Sequence, residues 1–319
     1  MQKKKIVIAL GGNALLRGNQ AGTIEEQEQN TYDTLKNIIP FIKEGHDVIL
    51  SHGNGPQVGN ILMRNDAAAE KYDIPQMPLD ICVADSQGGI GYMLEKTLRN
   101  ILTEEGIEKD VVTLVTQTVV SKDDPAFQNY TKPVGKIYDK ETADKLAAEK
   151  GWIFKPTPKK AGGYRRVVPS PNPTDIFNLK TIEAITNSGG IVIASGGGGI
   201  PVYFDENNKI VGLEAVIDKD KASAVLASKI NADEYYILTD VPYVYINFNE
   251  PNQEKLEYLS KADAEKYMAE GKFGEGNMAP KIQACLNFVS NGGKKSVITE
   301  ATKLTDKSYG TKITLEYED

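Results

Sequence analysis

The sequence predicts an α/β fold with a mainly parallel open sheet, because three short apolar runs each end on a cluster of glycines. The clusters lie at residues 11–12, 53–55 and 196–199. A buried parallel strand reads as a short β-branched run, and the loops at the carboxyl ends of such strands converge on one crevice. Glycines in those loops let backbone N–H groups approach a ligand closely. Three such turns predict a site lined with backbone donors, which suits phosphate.

Close packing of a helix on a strand would explain any one of these turns taken alone. The clusters contain two, two and four glycines, and this repetition favours a binding site. Pro56 follows the second cluster and suits the first turn of a helix whose N-terminus faces the crevice. The sequence therefore predicts a chain that handles phosphate at more than one loop.

Six apolar runs are predicted as strands of the sheet. They lie at residues 5–10, 47–51, 111–116, 191–195, 235–239 and 296–299. Helical patterns lie between several of them. Strands that alternate with helices imply a parallel sheet with right-handed crossovers.

Further local patterns predict two helices and a hairpin. Apolar residues over 35–42 follow a helical spacing, and we expect Pro40 to kink that helix. A second helical pattern covers 282–289 and stops at the Asn-Gly-Gly of 291–293. Residues 202–217 alternate about a polar turn, as a hairpin would.

Composition excludes several classes of protein. The 319 residues are 40% hydrophobic and 25% charged, and the net charge of −7 argues against nucleic acid as the main partner. No run approaches the roughly 20 apolar residues of a membrane span, and the apolar run behind the basic start is too short for a signal peptide. Cys82 and Cys285 look like core residues, and two histidines argue against a zinc cluster. Cytoplasm is the expected location.

One basic insert interrupts the acidic chain. Residues 118–173 carry nine Lys and two Arg against six Asp or Glu, a net +5, so the remainder carries −12. This stretch also contains seven of the fifteen prolines and the single tryptophan, Trp152. It is either a solvated excursion or a lid that brings positive charge to an anionic substrate. We expect an N-terminal half over 1–190 that contains this insert, and a C-terminal half over 191–319.

Standard nucleotide motifs are missing from the sequence. No G-x-x-x-x-G-K-[ST] is present, and Gly53-x-Gly55-x-x-x-Gly59 misses the third glycine spacing of the dinucleotide fingerprint. Among functions that use a phosphate site, the one that remains is phosphoryl transfer without a P-loop. That chemistry requires backbone donors, cations that neutralise the transferring group, and a magnesium-bound nucleotide.

Two lysines are candidates for those cations. Lys281 follows Pro280 in a predicted first helical turn, where a bound phosphate would offset its conflict with the helix dipole. A solvated lysine is the alternative. Lys219 and Asp220 precede another helical run, and Asp220 is either the N-cap or the residue that holds the lysines while Lys219 contacts phosphate.

Motifs along essentially the whole chain strongly resemble those of carbamate kinases, which have the amino acid kinase fold. They are Gly11-Gly12-Asn13-Ala14, Ser51-His52-Gly53-Asn54-Gly55-Pro56, Ser86-Gln87-Gly88, Thr131-Lys132-Pro133, Arg165-Arg166-Val167-Val168-Pro169, Gly196-Gly197-Gly198-Gly199, Ile217-Asp218-Lys219-Asp220, Leu238-Thr239-Asp240-Val241 and Met278 with Pro280-Lys281. The motifs in the insert separate this family from other amino acid kinases.

The resemblance implies a three-layer αβα sandwich, a small protruding lid, and a homodimer. It implies reversible phosphoryl transfer between ATP and carbamate, with Mg²⁺ bound to the nucleotide, commonly run from carbamoyl phosphate towards ATP in arginine fermentation.

It also implies the site residues. The catalytic group would be Lys132, Lys219, Asp220 and Lys281. The carbamoyl phosphate side would be Gly11, Gly12, Asn13, Ser51, Gly53, Asn54 and Arg165. The nucleotide side would be Gly197, Gly198, Asp240, Tyr245 and Met278, and no protein-bound metal is expected.

Some positions depart from the family pattern: Asp85, Lys136, Pro242 and Gly274-Glu275-Gly276-Asn277. Three rival functions also stay open at this point. One is a kinase of the same fold with another acceptor, such as an acyl amino acid. Another is a dinucleotide-dependent oxidoreductase built on Gly53-x-Gly55, and the last is a non-catalytic nucleotide-binding regulator.

Overall fold

In a computed structural model of the chain, which describes residues 2–18, 20–158, 160–273 and 278–317, the six predicted strands lie side by side in one sheet. The strands, numbered along the chain, are β1 (Lys5–Leu10), β2 (Asp47–His52), β3 (Val111–Thr113), β4 (Gln117–Val120), β5 (Lys132–Tyr138), β6 (Ile153–Pro156), β7 (Tyr164–Val168), β8 (Pro173–Ile176), β9 (Ile191–Ile193), β10 (Ile200–Phe204), β11 (Ile210–Gly212), β12 (Glu234–Thr239), β13 (Val244–Ile246), β14 (Glu254–Leu256), β15 (Tyr258–Ser260), β16 (Lys295–Glu300) and β17 (Thr311–Thr314).

The central sheet has the order β15-β17-β16-β12-β1-β2-β9-β3. The six strands from β16 to β3 are parallel to their neighbours, and they are the six that the sequence predicts. β17 runs antiparallel to β16 and extends the sheet with β15. In the predicted run 111–116, the first three residues form β3 and the last three connect β3 to β4.

Helices cover both faces of this sheet. They are α1 (Ile24–Lys36), α2 (Ile39–Lys43), α3 (Gly55–Tyr72), α4 (Leu79–Glu104), α5 (Lys140–Lys150), α6 (Leu179–Asn187), α7 (Lys219–Lys229), α8 (Lys261–Ala269) and α9 (Met278–Ser290). Alternation along β1 shows the two faces. Val7 and Ala9 pack with α6, α7 and α9, whereas Ile6, Ile8 and Leu10 pack with α1, α2 and α4. This arrangement confirms the three-layer αβα sandwich.

The helical pattern over 35–42 is interrupted rather than kinked. α1 ends at Lys36, and α2 begins at Ile39 with Pro40 in its first turn. Proline lacks the N–H that an interior helical position needs, so the chain starts a new helix around it. α9 likewise begins at Met278, two residues before Pro280.

The basic insert forms a separate sheet. β5, β7 and β6 make a three-stranded antiparallel sheet whose connection carries α5. The insert leaves and rejoins the body through β4 and β8, which pair in a second sheet with the β10–β11 hairpin. This hairpin turns at Asp205–Lys209, inside the predicted 202–217 range. We refer to residues 132–168, the part of the predicted insert 118–173 that forms this separate sheet with α5, as the lid, and the four-stranded sheet joins it to the body.

The division between halves near residue 190 stays a prediction. β9 lies between β2 and β3, so the chain after residue 190 first completes the N-terminal side of the sheet. Among the described residues, no helix combines the length and the apolar character that crossing a membrane requires. The departure at 274–277 lies outside the described residues.

Candidate active site

The three glycine loops meet at the carboxyl ends of β1, β2 and β9. A Cβ atom built on Gly197 would lie 2.2 Å from Nδ2 of Asn54, and one on Gly53 would lie 4.0 Å from the backbone nitrogen of Gly12. Gly197 also has φ +65°, a conformation in which a side chain is strained. Position 197 therefore requires glycine for two reasons, close approach and backbone conformation. Asn13 follows in the short 3₁₀ helix Gly12–Ala14.

Asp220 holds two lysines from different helices beside these loops. Its Oδ2 accepts a hydrogen bond from Nζ of Lys281 at 2.7 Å, and its Oδ1 is paired with Nζ of Lys219. Asp220 is only 4% exposed. The N-cap of α7 is Asp218 rather than Asp220, and Asp220 pairs with both lysines, while contact of Lys219 with phosphate stays a prediction.

The lysines control the ionisation of Asp220. Burial alone would raise the pKa of this carboxyl, but the charges of Lys219 and Lys281 outweigh burial and lower its pKa to about 2. Burial lowers the pKa of Lys219, and Asp220 opposes that effect. The Asp220 carboxylate is therefore ionised near pH 7, with one ammonium group on each oxygen.

The loop after β2 touches this cluster. A Cβ atom on Gly53 would lie 3.4 Å from Cδ of Lys219. Ser51 is fully buried, and its Oγ lies 2.6 Å from Oγ of Ser223 on α7. Ser223 donates in turn to the Lys219 carbonyl at 2.6 Å, so Ser51 donates to Ser223. Ser51 thus ties β2 to the helix that carries Lys219 and Asp220.

Sequence reasoning missed a polar network under the loops, although His52 and Gln87 lie in the motifs it singled out. Gln87 donates to the carbonyls of Thr116 and Gly196 at 3.0 and 2.8 Å. Asn54 donates to Oγ of Ser86 at 2.8 Å. These bonds satisfy buried polar groups and fix the shape of the glycine loops.

His52 has a strongly perturbed imidazole in this network. Burial lowers its pKa to about 4, and the Lys219 charge acts in the same direction. The ring is therefore neutral near pH 7, and its Nδ1–H donates to the Gly53 carbonyl at 2.9 Å. A Cβ atom on Gly196 would lie 2.4 Å from Nε2 of His52, so glycine makes room for the ring.

An open cleft of about 660 Å³ lies beside the cluster. It is lined by Gly11, Gly12, Asp240 and Lys281, together with Glu300. Asp240 is exposed and accepts a hydrogen bond from Thr239 at 3.1 Å. The cleft has room for a nucleotide next to a lysine of the Asp220 cluster.

Three predicted residues, Arg165, Tyr245 and Met278, lie outside the glycine loops, whereas Gly198 is part of the third loop. Arg165 is in the lid, where it donates to the Gly135 carbonyl at 2.9 Å, while its buried Nε finds no acceptor among the described residues. Tyr245 packs against Phe248 with ring centroids 5.8 Å apart. Met278 starts α9 against the core, and the buried Gly198 has no room for a side chain beside Ile217.

Lys132 completes the set of predicted cations. It is the first residue of β5 in the lid, and its Nζ lies 3.3 Å from Oδ2 of Asp218. The structure therefore brings Lys132, Lys219, Asp220 and Lys281 to adjoining positions at the start of α7.

Known proteins with this architecture are similar over nearly the entire length. The sequence profile of the amino acid kinase family matches residues 4–300. Carbamate kinase from Pyrococcus horikoshii is 49% identical over 96% of this chain and 97% of its own length, and that from Pyrococcus furiosus is 47% identical over 96% and 97%. The solved structure of carbamate kinase from Giardia lamblia bound to AMP-PNP superposes with a TM-score of 0.91 at 40% identity and covers 98% of both chains. This chain belongs to the carbamate kinases of the amino acid kinase family.

Proposed function

We propose that the site transfers a phosphoryl group reversibly between ATP and carbamate, and that it works chiefly to make ATP from ADP and carbamoyl phosphate, as in arginine fermentation. The observation that carries this proposal is the pair of lysines held on the buried Asp220 beside three glycine loops. Phosphoryl transfer needs fixed positive charge and backbone donors more than covalent chemistry. Both are concentrated at this one place.

The residues divide into roles by position. Lys219 and Lys281 neutralise the transferring phosphoryl group, and Asp220 orients them. Lys132 reaches the same group from the lid. A general base is unnecessary because the carbamate oxygen is already anionic.

The two ligands occupy different sides of the lysine cluster. Gly11, Gly12, Asn13, Gly53, Asn54 and Arg165 hold carbamoyl phosphate, and Ser51 supports them from beneath. The nucleotide lies towards Gly197, Gly198, Asp240, Tyr245 and Met278. The cleft that Gly12, Asp240 and Lys281 line supports this division, since it joins both sides.

Magnesium enters this scheme as part of the nucleotide complex. Asp220 has both oxygens on lysines, and the described residues contain no group of three or more His, Cys, Asp or Glu side chains arranged for a metal ion. When bound, the ion neutralises phosphate charge. The residues present fit an ion carried by the nucleotide, because the lysines would bind the phosphates while Asp218 and Asp220 are already paired with lysines.

We also propose that the protein is a cytoplasmic homodimer. The outer face of α4 exposes Ile81 and Tyr92, which are 42% and 66% accessible and lie three helical turns apart. The neighbouring β10–β11 hairpin exposes Phe204 and Ile210. Tyr92→Asp should lower the mass measured by light scattering, whereas Leu315→Asp, at an exposed apolar position near the C-terminus, should not.

The first test is ATP formation from ADP, Mg²⁺ and carbamoyl phosphate in a coupled luminescent assay. Turnover of tens per second, in the usual enzyme range, is expected. Lys281→Ala should reduce turnover by about 100-fold or more while the protein stays folded. Absence of turnover in folded, ADP-binding protein would overturn the proposal and direct the assay to acyl amino acid acceptors.

A further inference from the structure

Within the part of the chain that the structure describes, an ion pair at the lysine cluster joins the lid to the start of α7. Lys132 begins β5, in the lid sheet, and Asp218 precedes α7, in the body. They are 86 residues apart in sequence, yet Nζ and Oδ2 lie 3.3 Å apart. The Lys132 side chain is 39% exposed, so its contact with Asp218 is partly open to solvent.

Asp218 uses its other oxygen to start α7. Oδ1 accepts from the backbone N–H of Asp220 at 3.0 Å and from that of Lys221 at 3.4 Å. One carboxylate therefore contacts the lid lysine and, at the same time, the turn that carries Lys219 and Asp220. Asp218 thereby fixes the position of Lys132 relative to the other two lysines.

The contact between Lys132 and Asp218 matters because of the balance of charge at the lysine cluster. Each oxygen of Asp220 already has a lysine partner, Lys219 on Oδ1 and Lys281 on Oδ2. In the part of the chain that the structure describes, Asp218 is the carboxylate that contacts Lys132. Three like charges that converge repel one another, and a second carboxylate at the cluster offsets part of that repulsion.

We propose that Asp218 is a positioning residue that docks the lid lysine at the transfer point before the phosphoryl group arrives. This inference rests on the proposed phosphoryl transfer. A lysine side chain that is already docked has lost much of its rotamer freedom before the reaction begins, so less entropy is lost in reaching the transition state. Asp218 therefore acts through Lys132, and also helps to shape the helix start.

A double-mutant cycle between Asp218→Asn and Lys132→Met tests the coupling. Asparagine is as good an N-cap as aspartate, so the substitution keeps the helix start and removes the charge that faces Lys132. Asp218→Asn should lower kcat/KM for carbamoyl phosphate about tenfold and leave ADP binding unchanged. In the Lys132→Met background it should have little further effect.

A matched control comes from the lid itself. Asp139 caps α5 by accepting from the backbone N–H of Thr142 at 2.8 Å, and it lies outside the lysine cluster. Asp139→Asn should leave kcat/KM unchanged. An unchanged rate in Asp218→Asn would overturn the proposal, and so would equal losses in the wild-type and Lys132→Met backgrounds, since these would show a general structural effect.

Hydrogen exchange tests the docking without reference to turnover. In the ligand-free protein, the first amides of β5 should exchange faster in both Asp218→Asn and Lys132→Met than in the wild type. Asp218→Ser, which keeps a capping oxygen, should match them. Unchanged exchange in all three would overturn the docking. An inactive wild type with these exchange differences would instead overturn only the proposed reaction.

Discussion

Nζ of Lys281 lies 2.7 Å from Oδ2 of Asp220, although 61 residues separate them in sequence. The contact joins α9 to α7 inside the protein, where both side chains are largely buried. An ion pair in such a place stabilises little relative to an apolar pair, but it is costly to break. The pair is therefore better explained by the reaction than by stability.

Replacing Asp220 by asparagine should damage both stability and activity. The change keeps the shape and leaves two buried ammonium groups without their counter-charge, which costs about 3–5 kcal/mol when a buried pair is broken. We expect a lower denaturation midpoint and a loss of turnover of about 100-fold or more. Chemical denaturation and the luminescent assay measure the two effects separately. Full activity in the folded variant would contradict the orienting role.

Acidification should destabilise the protein through His52 before it affects Asp220. The pKa of His52 is about 4, below its ordinary 6.5, so the unfolded chain binds a proton between these values that the native protein does not. Stability is therefore lost as pH falls from 6.5 to 4, by about 3 kcal/mol in total. The pKa of Asp220 is lowered from 3.8 to about 2, so its contribution is present above pH 4 and is lost as pH falls towards 2.

Denaturation at several pH values between 7 and 4 measures this loss. A His52→Gln variant has no imidazole to titrate at this position, so its stability should fall less steeply over the same range. Equal slopes in the wild type and the variant would show that His52 is not responsible. The test compares how steeply the free energy of unfolding changes with pH. A loss of stability in the variant that is the same at every pH therefore does not affect the comparison.

Alanine at position 197 should disrupt the glycine loop at residues 196–199 by steric conflict as well as by backbone strain. Its Cβ would lie 2.2 Å from Asn54, which would have to leave its hydrogen bond to Ser86. Gly106 has φ +66°, nearly the same as the +65° of Gly197, but open space around it. Gly106→Ala should therefore lower the free energy of unfolding only by the backbone strain of about 1–2 kcal/mol and keep activity. Gly197→Ala should lose both stability and activity. Equal activity in the two variants would contradict the steric role.

The native protein should resist thiol reagents. Its two cysteines, Cys82 and Cys285, are free and fully buried. Burial raises the pKa of the Cys82 thiol to about 11 and that of Cys285 further, so neither forms the reactive thiolate near pH 7. We expect no labelling of folded protein by a thiol reagent and two labelled thiols per chain in denaturant. Fast labelling under native conditions would contradict this burial.

Local sequence was sufficient to locate the strands because burial on both faces imposes a short apolar run on each of them. The six parallel strands match their predictions within a few residues, but β15 and β17 at the sheet edge were missed. Tyr258–Ser260 and Thr311–Thr314 are three or four residues long and partly polar, so their own pattern is weak; β17 is placed by pairing with β16, and β15 by pairing with β17.

Helix starts show the limit of local reasoning more sharply. Pro40 was expected to kink one continuous helix and Pro280 to begin a helix, but each lies one or two residues inside the first turn of its own helix. Proline is tolerated throughout the first turn, where N–H groups have no helical partner, so it marks the turn and not the residue.

By itself the sequence determined the α/β class, the positions of the parallel strands, the glycine loops and the family, because these depend on residue type and short-range spacing. Only the tertiary structure decided which carboxylate serves which lysine. Asp218 and Asp220 are both plausible caps of α7, and the choice depends on Lys281 and Lys132, which come from 61 and 86 residues away. Packing of the helices and the lid brings those charged side chains together. No local sequence pattern encodes a contact between residues so far apart in the chain.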